Sequence, residues 1–405
     1  MEIIKIGLIR EGKTPPDKRV AFTPAQVQEI HQLFPSVRIV IQSSESRCFK
    51  DLEYKLVGAE IVSSVEDCDI LFGIKEVPID QLVANKTYLF FSHTIKKQPY
   101  NRKLLQTILQ RKITLIDYEA LKDSQGNRLV AFGRYAGIVG AYNALWTFGK
   151  KYNTFHLRRA FECFDINDLK IELRKVILPP IKIVLTGGGR VAKGAMETLD
   201  TAGIRKVSKE DFLAKEYNQA VYVQLSSADY NKHKAGLPFN RTDFHLTPER
   251  YDSNFAKYGA AADMLIAGAY WNPKAPKLFE QSQSNAKNFK IRIIADITCD
   301  INGSIPSTKK ASTITEPLYD YKLADDTICE PLGHQENITV MAIDNLPCEL
   351  PRSSSDEFGR DLIDRIMNPL IYSKPEGIAT RATVAKAGKL TTNFEYLIDY
   401  VNDHA

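Results

Sequence analysis

The sequence predicts two α/β units, each built on a parallel sheet, and three observations carry that prediction. The chain has 405 residues, more than one compact core usually holds, so two domains are expected. Through the first third, short apolar runs alternate with helical patterns, as in a parallel sheet covered on both faces. At residues 181–194 a β-branched run leads straight into three glycines and out into a second helical pattern. The chain is expected to leave the first unit near residue 140 and return near 344. The units are therefore drawn as 1–138 with 345–405, and 139–344, with the two crossings forming a hinge and the active site in the cleft between them.

Composition narrows the class. Hydrophobic residues make up 44% and charged residues 25%, ordinary for a soluble globular chain. The net charge of +5 is small and no Lys/Arg block dominates, so no nucleic-acid partner is implied. Cys48, Cys68, Cys163, Cys299, Cys329 and Cys348 are scattered without a CxxC pair. That spacing points to reduced thiols in a cytoplasm, with no metal site and no disulfide framework. No run of about 18 apolar residues exists, so no membrane span is expected. The start, Met1-Glu2-Ile3-Ile4-Lys5-Ile6, reads as a first strand and not as a signal peptide.

In the first third, strands are expected at residues 3–9, 38–41, 70–74, 88–91 and 114–116. Helices are expected at Pro24–Leu33, with Thr23 as N-cap, and at Arg102–Gln110. Open α/β sheets bind their ligands just past the strand ends. Those positions hold Lys75-Glu76, then Ser92-His93-Thr94-Ile95-Lys96, then Asp117-Tyr118-Glu119. Each residue alone reads equally as a solvated loop residue or a cap. Their shared placement at three successive strand ends points to one site. Arg19 precedes the capped helix, where its forked guanidinium either holds a carboxylate or makes a surface ion pair.

A helix rich in small residues begins at Gly133 and runs past Trp146. Helical turns are expected at 161–163 and 171–177, and Pro179-Pro180 stops the segment. The run Ile183-Val184-Leu185-Thr186-Gly187-Gly188-Gly189-Arg190-Val191-Ala192 then has the order strand, tight turn, helix. This is the opening of a Rossmann-like dinucleotide site. Gly187 allows the turn, Gly188 and Gly189 bring backbone to the pyrophosphate, and Arg190 and Val191 open the helix whose free N–H groups face the phosphates. Ala192 permits close packing of helix on strand.

Residues 204–207 are the candidate second strand, where an NAD site usually ends in Asp or Glu. Here Ser208 and Lys209 follow, and either could meet a 2′-phosphate. The cofactor is thus NAD or NADP, with a lean to NADP. Further strands are expected at 264–269 and 291–295. The second of these leads into Asp296-Ile297-Thr298-Cys299-Asp300-Ile301-Asn302-Gly303. Ile343-Asp344-Asn345-Leu346-Pro347 precedes a helix near residues 357–368.

Taken together, Gly73-Ile74-Lys75-Glu76, Phe91-Ser92-His93-Thr94, Ile116-Asp117-Tyr118-Glu119, Val130-Ala131-Phe132-Gly133, the glycine turn, Ala269-Tyr270-Trp271, the segment 296–304 and 343–347 resemble the saccharopine dehydrogenases and lysine–oxoglutarate reductases of the alanine dehydrogenase superfamily. The resemblance spans nearly the whole chain. It implies an oxidoreductase that interconverts saccharopine with L-lysine and 2-oxoglutarate, with Lys75 and His93 as the acid–base pair. It implies substrate-holding or tuning roles for Arg19, Glu76, Glu119, Arg128 and Asp344, and it aligns Asp300 with an aspartate of the cofactor side. An alanine dehydrogenase-like enzyme and a non-catalytic nucleotide-sensing relative are the alternatives.

Overall fold

The computed structural model describes residues 3–372 and 377–402. The chain forms two compact units, Met1–Phe132 with Pro351–Ala405, and Gly133–Leu350. Among the described residues, each is organised on one eight-stranded sheet.

In the first unit the strand order is Lys389–Leu390, Thr383–Lys386, Thr114–Asp117, Thr87–Phe90, Ile70–Phe72, Ile4–Leu8, Val37–Gln42 and Glu60–Val62. The last six run parallel, and the C-terminal pair is antiparallel. Ile6, Ile39, Ile41, Leu71 and Leu89 are buried, as expected of strands covered on both faces. The helix Pro24–Leu33 starts where the sequence places it, with a capping box between Thr23 and Gln26. Arg102–Gln110 also forms as expected. The strand expected at 70–74 ends earlier, at Phe72, so Gly73, Ile74 and Lys75 lie beyond it. The antiparallel strands Thr383–Lys386 and Lys389–Leu390 have too few apolar residues to stand out in the sequence.

In the second unit the order is Thr327–Cys329, Leu318–Lys322, Ile338–Met341, Ile293–Asp296, Met264–Ala267, Lys182–Thr186, Val221–Leu225 and Arg205–Lys206. Again six strands are parallel and two antiparallel strands close one edge. The expected second strand does not lie beside the glycine-bearing strand. Residues 204–207 form only the short edge strand Arg205–Lys206, and Val221–Leu225 is inserted between it and Lys182–Thr186. The wider polar stretch around Val221-Tyr222-Val223 hides this buried strand from a reading by composition. Beyond it, Asn231–His233 pairs with Tyr251–Ser253 as a hairpin, and Arg241–Leu246 is a short helix between them.

Residues 171–177 are helical only in part. The helix is Ile166–Leu173, capped by Asp165, and residues 174–177 lie outside it. The turn expected at 161–163 is a 3₁₀ turn at Ala160–Glu162. The helix expected at 357–368 begins earlier, at Pro351, and continues through a π-helical turn at Ile363–Met367.

The long helix Gly133–Tyr152 lies against Arg190–Thr201, the helix after the glycine turn. A Cβ at Gly137 would stand 1.8 Å from the Val191 carbonyl oxygen, and one at Gly194 would stand 1.9 Å from that of Arg134. The two backbones touch, which only glycine permits. No helix among the described residues is long and apolar enough to cross a membrane.

Candidate active site

Three neighbouring parallel strands of the first unit end in charged side chains, and the structure brings these together. Past Phe72 the backbone is held by Glu11, whose carboxylate accepts the N–H groups of Ile74 at 2.7 Å and Lys75 at 2.9 Å. Burial, then the nearby Asp17, pushes the Glu11 carboxyl up to about 8, against these two bonds and Arg19. Lys75 is half-buried, and no described group hydrogen-bonds its Nζ. Burial first, then the positive Arg19, holds its ammonium below the ordinary lysine value, although Asp17 and Glu76 oppose them.

Glu76 bridges Lys75's strand end to the next. His93 Nδ1 lies 2.6 Å from Glu76 Oε1 and, facing a carboxylate, donates to it. Lys13 Nζ donates to the other oxygen at 3.0 Å. Burial resists ionisation of Glu76, but His93 and Lys13 hold the carboxyl down to about 2. His93 has a left-handed backbone, φ 53°, and its ring stacks against Phe91 with centroids 6.4 Å apart.

The third strand end carries Glu119. Its Oε1 accepts from Lys96 at 3.0 Å and Arg128 at 2.8 Å. Its Oε2 is buried without a hydrogen-bond partner. Burial is outweighed by Arg128 and Lys96, so the carboxyl sits below the usual range. Arg19 is not a surface residue. It is 3% exposed, forks onto Asp17 at 2.9 and 2.6 Å, and lies 4.1 Å above the Phe132 ring.

Lys75, Glu76, His93, Glu119, Arg128 and Arg19 therefore belong to one charged network. Glu11, Lys13, Asp17 and Lys96 join it. Their signal in the sequence was position alone, since Glu11 and Lys13 follow the first strand as Lys75 follows its own.

Asp300 and Asp344 belong to the second unit. Asp300 is half-buried, and burial and then Asp296 push its carboxyl up. Asp344 is exposed, and both aspartates act on the half-buried Cys299 thiol.

In the second unit Lys182–Thr186 is buried along its length. Gly187 takes φ 107°, and a Cβ there would stand 2.9 Å from the Gly268 carbonyl oxygen. Its N–H donates to Leu225 and its carbonyl accepts from Gln224 Nε2 at 2.6 Å, so the inserted strand fixes the turn. Gly189 is the N-cap of Arg190–Thr201, and a Cβ on it would meet nothing within 4 Å.

Gly187, Gly188, Gly189, Arg190 and Val191 line a cavity of about 820 Å³ with Ser226, Ser227, Arg241, His245, Trp271 and others. The open backbone cradle at Gly189 and the start of the helix Arg190–Thr201 fit the pyrophosphate of a dinucleotide. No carboxylate lines this cavity, whose basic side chains are Arg190, Arg241 and His245. Ser208 does not line it. Its hydroxyl caps the helix Lys209–Ala214, and Lys209 pairs with Asp229 at 2.5 Å. The place opposite the glycine turn is taken by Ser226 and Ser227, at the end of the strand missed in the sequence.

Residues 7–139 match the family of the alanine dehydrogenase/PNT N-terminal domain. The mitochondrial alpha-aminoadipic semialdehyde synthase of Mus musculus is 28% identical over 444 residues, covering 97% of this chain and 47% of that protein. The saccharopine dehydrogenase [NAD(+), L-lysine-forming] of Candida albicans is 26% identical, with 89% of this chain and 90% of that one covered. Over nearly its whole length the chain is thus similar to semialdehyde synthases and saccharopine dehydrogenases, with the alanine dehydrogenase/PNT match confined to its first third. It spans about half the length of the semialdehyde synthases it matches. Its fold is that of a solved L-alanine dehydrogenase, with a TM-score of 0.63 at 16% identity, covering 99% of this chain and all of that one.

Proposed function

We propose that this chain is a nicotinamide-dinucleotide oxidoreductase that interconverts saccharopine with L-lysine and 2-oxoglutarate. The observation that carries the reading is the linkage of Lys75, Glu76 and His93: a lysine whose ammonium is disfavoured beside an imidazole held by a carboxylate. Such a pair can take a proton from one substrate atom and give one to another. In the reductive direction the ε-amine of lysine attacks the ketone of 2-oxoglutarate. Lys75 takes the proton that the amine loses and passes it to the ketone oxygen, which becomes the hydroxyl of a carbinolamine. His93, oriented by Glu76, protonates that hydroxyl as it leaves as water, giving a protonated imine.

Bound at the glycine turn of the second unit, the dinucleotide supplies the hydride that reduces the imine. Lys96 and Arg128 offer cations to substrate carboxylates, and Glu119 offers its unpartnered oxygen to a substrate amine. Arg19, clamped by Asp17, acts on Lys75 through charge. Asp300 and Asp344 are assigned to the cofactor and substrate sides of the second unit.

We also infer a preference for NADP(H). Its support is the cavity lining, which has Arg190, Arg241, His245 and three serines but no acid to bind a ribose 2′-hydroxyl. Oxidation of NADPH and NADH is followed with lysine plus 2-oxoglutarate and with ammonia plus pyruvate. Turnover with the first pair, faster with NADPH, is expected. Turnover only with ammonia plus pyruvate would make the chain an alanine dehydrogenase-like enzyme. Cofactor binding with no turnover on either pair would make it a nucleotide sensor.

A further inference from the structure

Asp117 ends the strand Thr114–Asp117 and is completely buried. Its Oδ2 accepts the N–H of Ser92 at 3.1 Å and the Ser92 hydroxyl in a short bond. Its Oδ1 accepts the N–H of Glu119 at 2.7 Å. The Ser92 hydroxyl also lies 2.7 Å from the Thr94 hydroxyl and accepts the Thr94 N–H at 3.2 Å. Asp117 stands in register with Phe90 on the adjacent parallel strand, so the two turns it holds leave the sheet side by side. One of those turns carries His93, the other Glu119.

The His93 turn needs holding. A residue with a Cβ at φ 53° is in a sparsely populated, unfavourable conformation. Of the residues on either side of it, Ser92 is tied directly to Asp117, and Thr94 is tied to it through the Ser92 hydroxyl. A buried carboxylate with three donors, none of them on substrate, is also expensive to bury unless those bonds are kept. Burial pushes its carboxyl above the ordinary range while the Ser92 and Glu119 bonds pull it back.

We propose that Asp117 is a positioning residue that fixes His93 and Glu119 relative to one another. The role rests on the reading of His93 as an acid–base group, but the geometry it sets does not. Asparagine has nearly the same volume and offers one oxygen and one NH₂. It can satisfy only one turn and must face the other turn's N–H with a donor of its own.

The test uses the full chain and Asp117→Asn, with Ser92→Ala as a milder variant that removes the hydroxyl's bonds to Asp117 and Thr94 but keeps the Ser92 N–H on Asp117. Turnover of lysine plus 2-oxoglutarate should fall about 100-fold in Asp117→Asn, the scale of a displacement near 1 Å. The KM for the reduced cofactor should stay within about twofold, since the cofactor cradle lies in the other unit. The pH–rate profile should lose the limb that His93→Gln also loses, which loss of general stability would not bring about. Ser92→Ala should fall in the same direction by less. Hydrogen exchange should quicken in peptides covering 91–97 and 117–121 of Asp117→Asn and nowhere in the second unit. A folded Asp117→Asn with native turnover and native exchange in both peptides overturns the assignment. If the native chain turns over neither substrate pair, the functional reading fails alone, and the exchange experiment still decides the role of Asp117.

Discussion

The two units share one sheet plan, six parallel strands with two antiparallel strands on one edge, yet they build their sites in opposite ways. In the first, three strand ends present charged side chains that hold one another through Glu11, Glu76 and Asp117. In the second, the strand end presents missing side chains, and backbone does the work at Gly187 and Gly189. The difference teaches what each site tolerates. A site made of side chains fails in rate when one is removed, whereas a site made of absences fails in binding or folding when one is added.

The largest expected effect tests the second half of that comparison. Gly194→Val drives a side chain into the Arg134 carbonyl, where even a Cβ would stand at 1.9 Å. It should exceed the roughly 1–3 kcal/mol of ordinary overpacking and unfold the second unit in a thermal melt. Gly189→Val points into open space, so it should melt like the native chain yet weaken cofactor binding at least about 100-fold, a loss near 2.8 kcal/mol. Unaltered cofactor affinity in a folded Gly189→Val chain would remove the pyrophosphate from this turn.

Next come the side chains of the first unit. Lys75→Met and His93→Gln should each lower turnover by about 10²–10⁴ and leave cofactor affinity nearly unchanged. The double variant should lose less than the product of the two, because the groups act as one unit. Near-normal turnover in both single variants, measured at saturating substrate, would leave the charged cluster without its catalytic role.

The smallest effect is one of pH. The Glu11 carboxyl holds its proton up to about pH 8 in the fold, whereas a glutamate in the unfolded chain releases it near about 4.3. Between those values the folded chain binds more protons than the unfolded one. This group therefore makes stability fall as pH rises through that window, and adds no further slope above it. Glu11→Gln cannot titrate. Its stability relative to the native chain should improve from pH 5 to pH 8 in urea unfolding. Parallel pH slopes for the two chains would place the Glu11 carboxyl outside the buried network.

The strand-end logic found the first site because it needs only residue type and position. Lys75, His93 and Glu119 are chemical groups placed after apolar runs, and such placement is visible in one dimension. What it could not show is who holds whom. Arg19 was open between two roles until its fork was seen on the buried Asp17. Which influence prevails on Lys75 depended on burial, which is a property of the packed unit.

The glycine turn was equally legible, because Gly187 and Gly189 mark backbone conformations directly. Its partner strand was not. Val221–Leu225 lies nearer in space to the turn than Arg205–Lys206 does but later in the chain, and an expectation of consecutive neighbours picks the wrong one. With that strand went the assignment of Ser208, whose hydroxyl is spent on a helix cap.

The first unit is assembled from two stretches of sequence separated by the whole of the second. The strand carrying Asp117 gains its outer neighbour only from Thr383–Lys386, and Phe91 and Phe132 gain their Phe358 partner only from the helix Pro351–Leu362. A ribosome therefore delivers Gly133–Leu350 complete while the earlier sheet still has an open edge at Thr114–Asp117. At about 5–20 residues per second, the edge waits tens of seconds for its closing strand. During synthesis the second unit can mature first, and the first stays unfinished until Thr383–Lys386 has emerged.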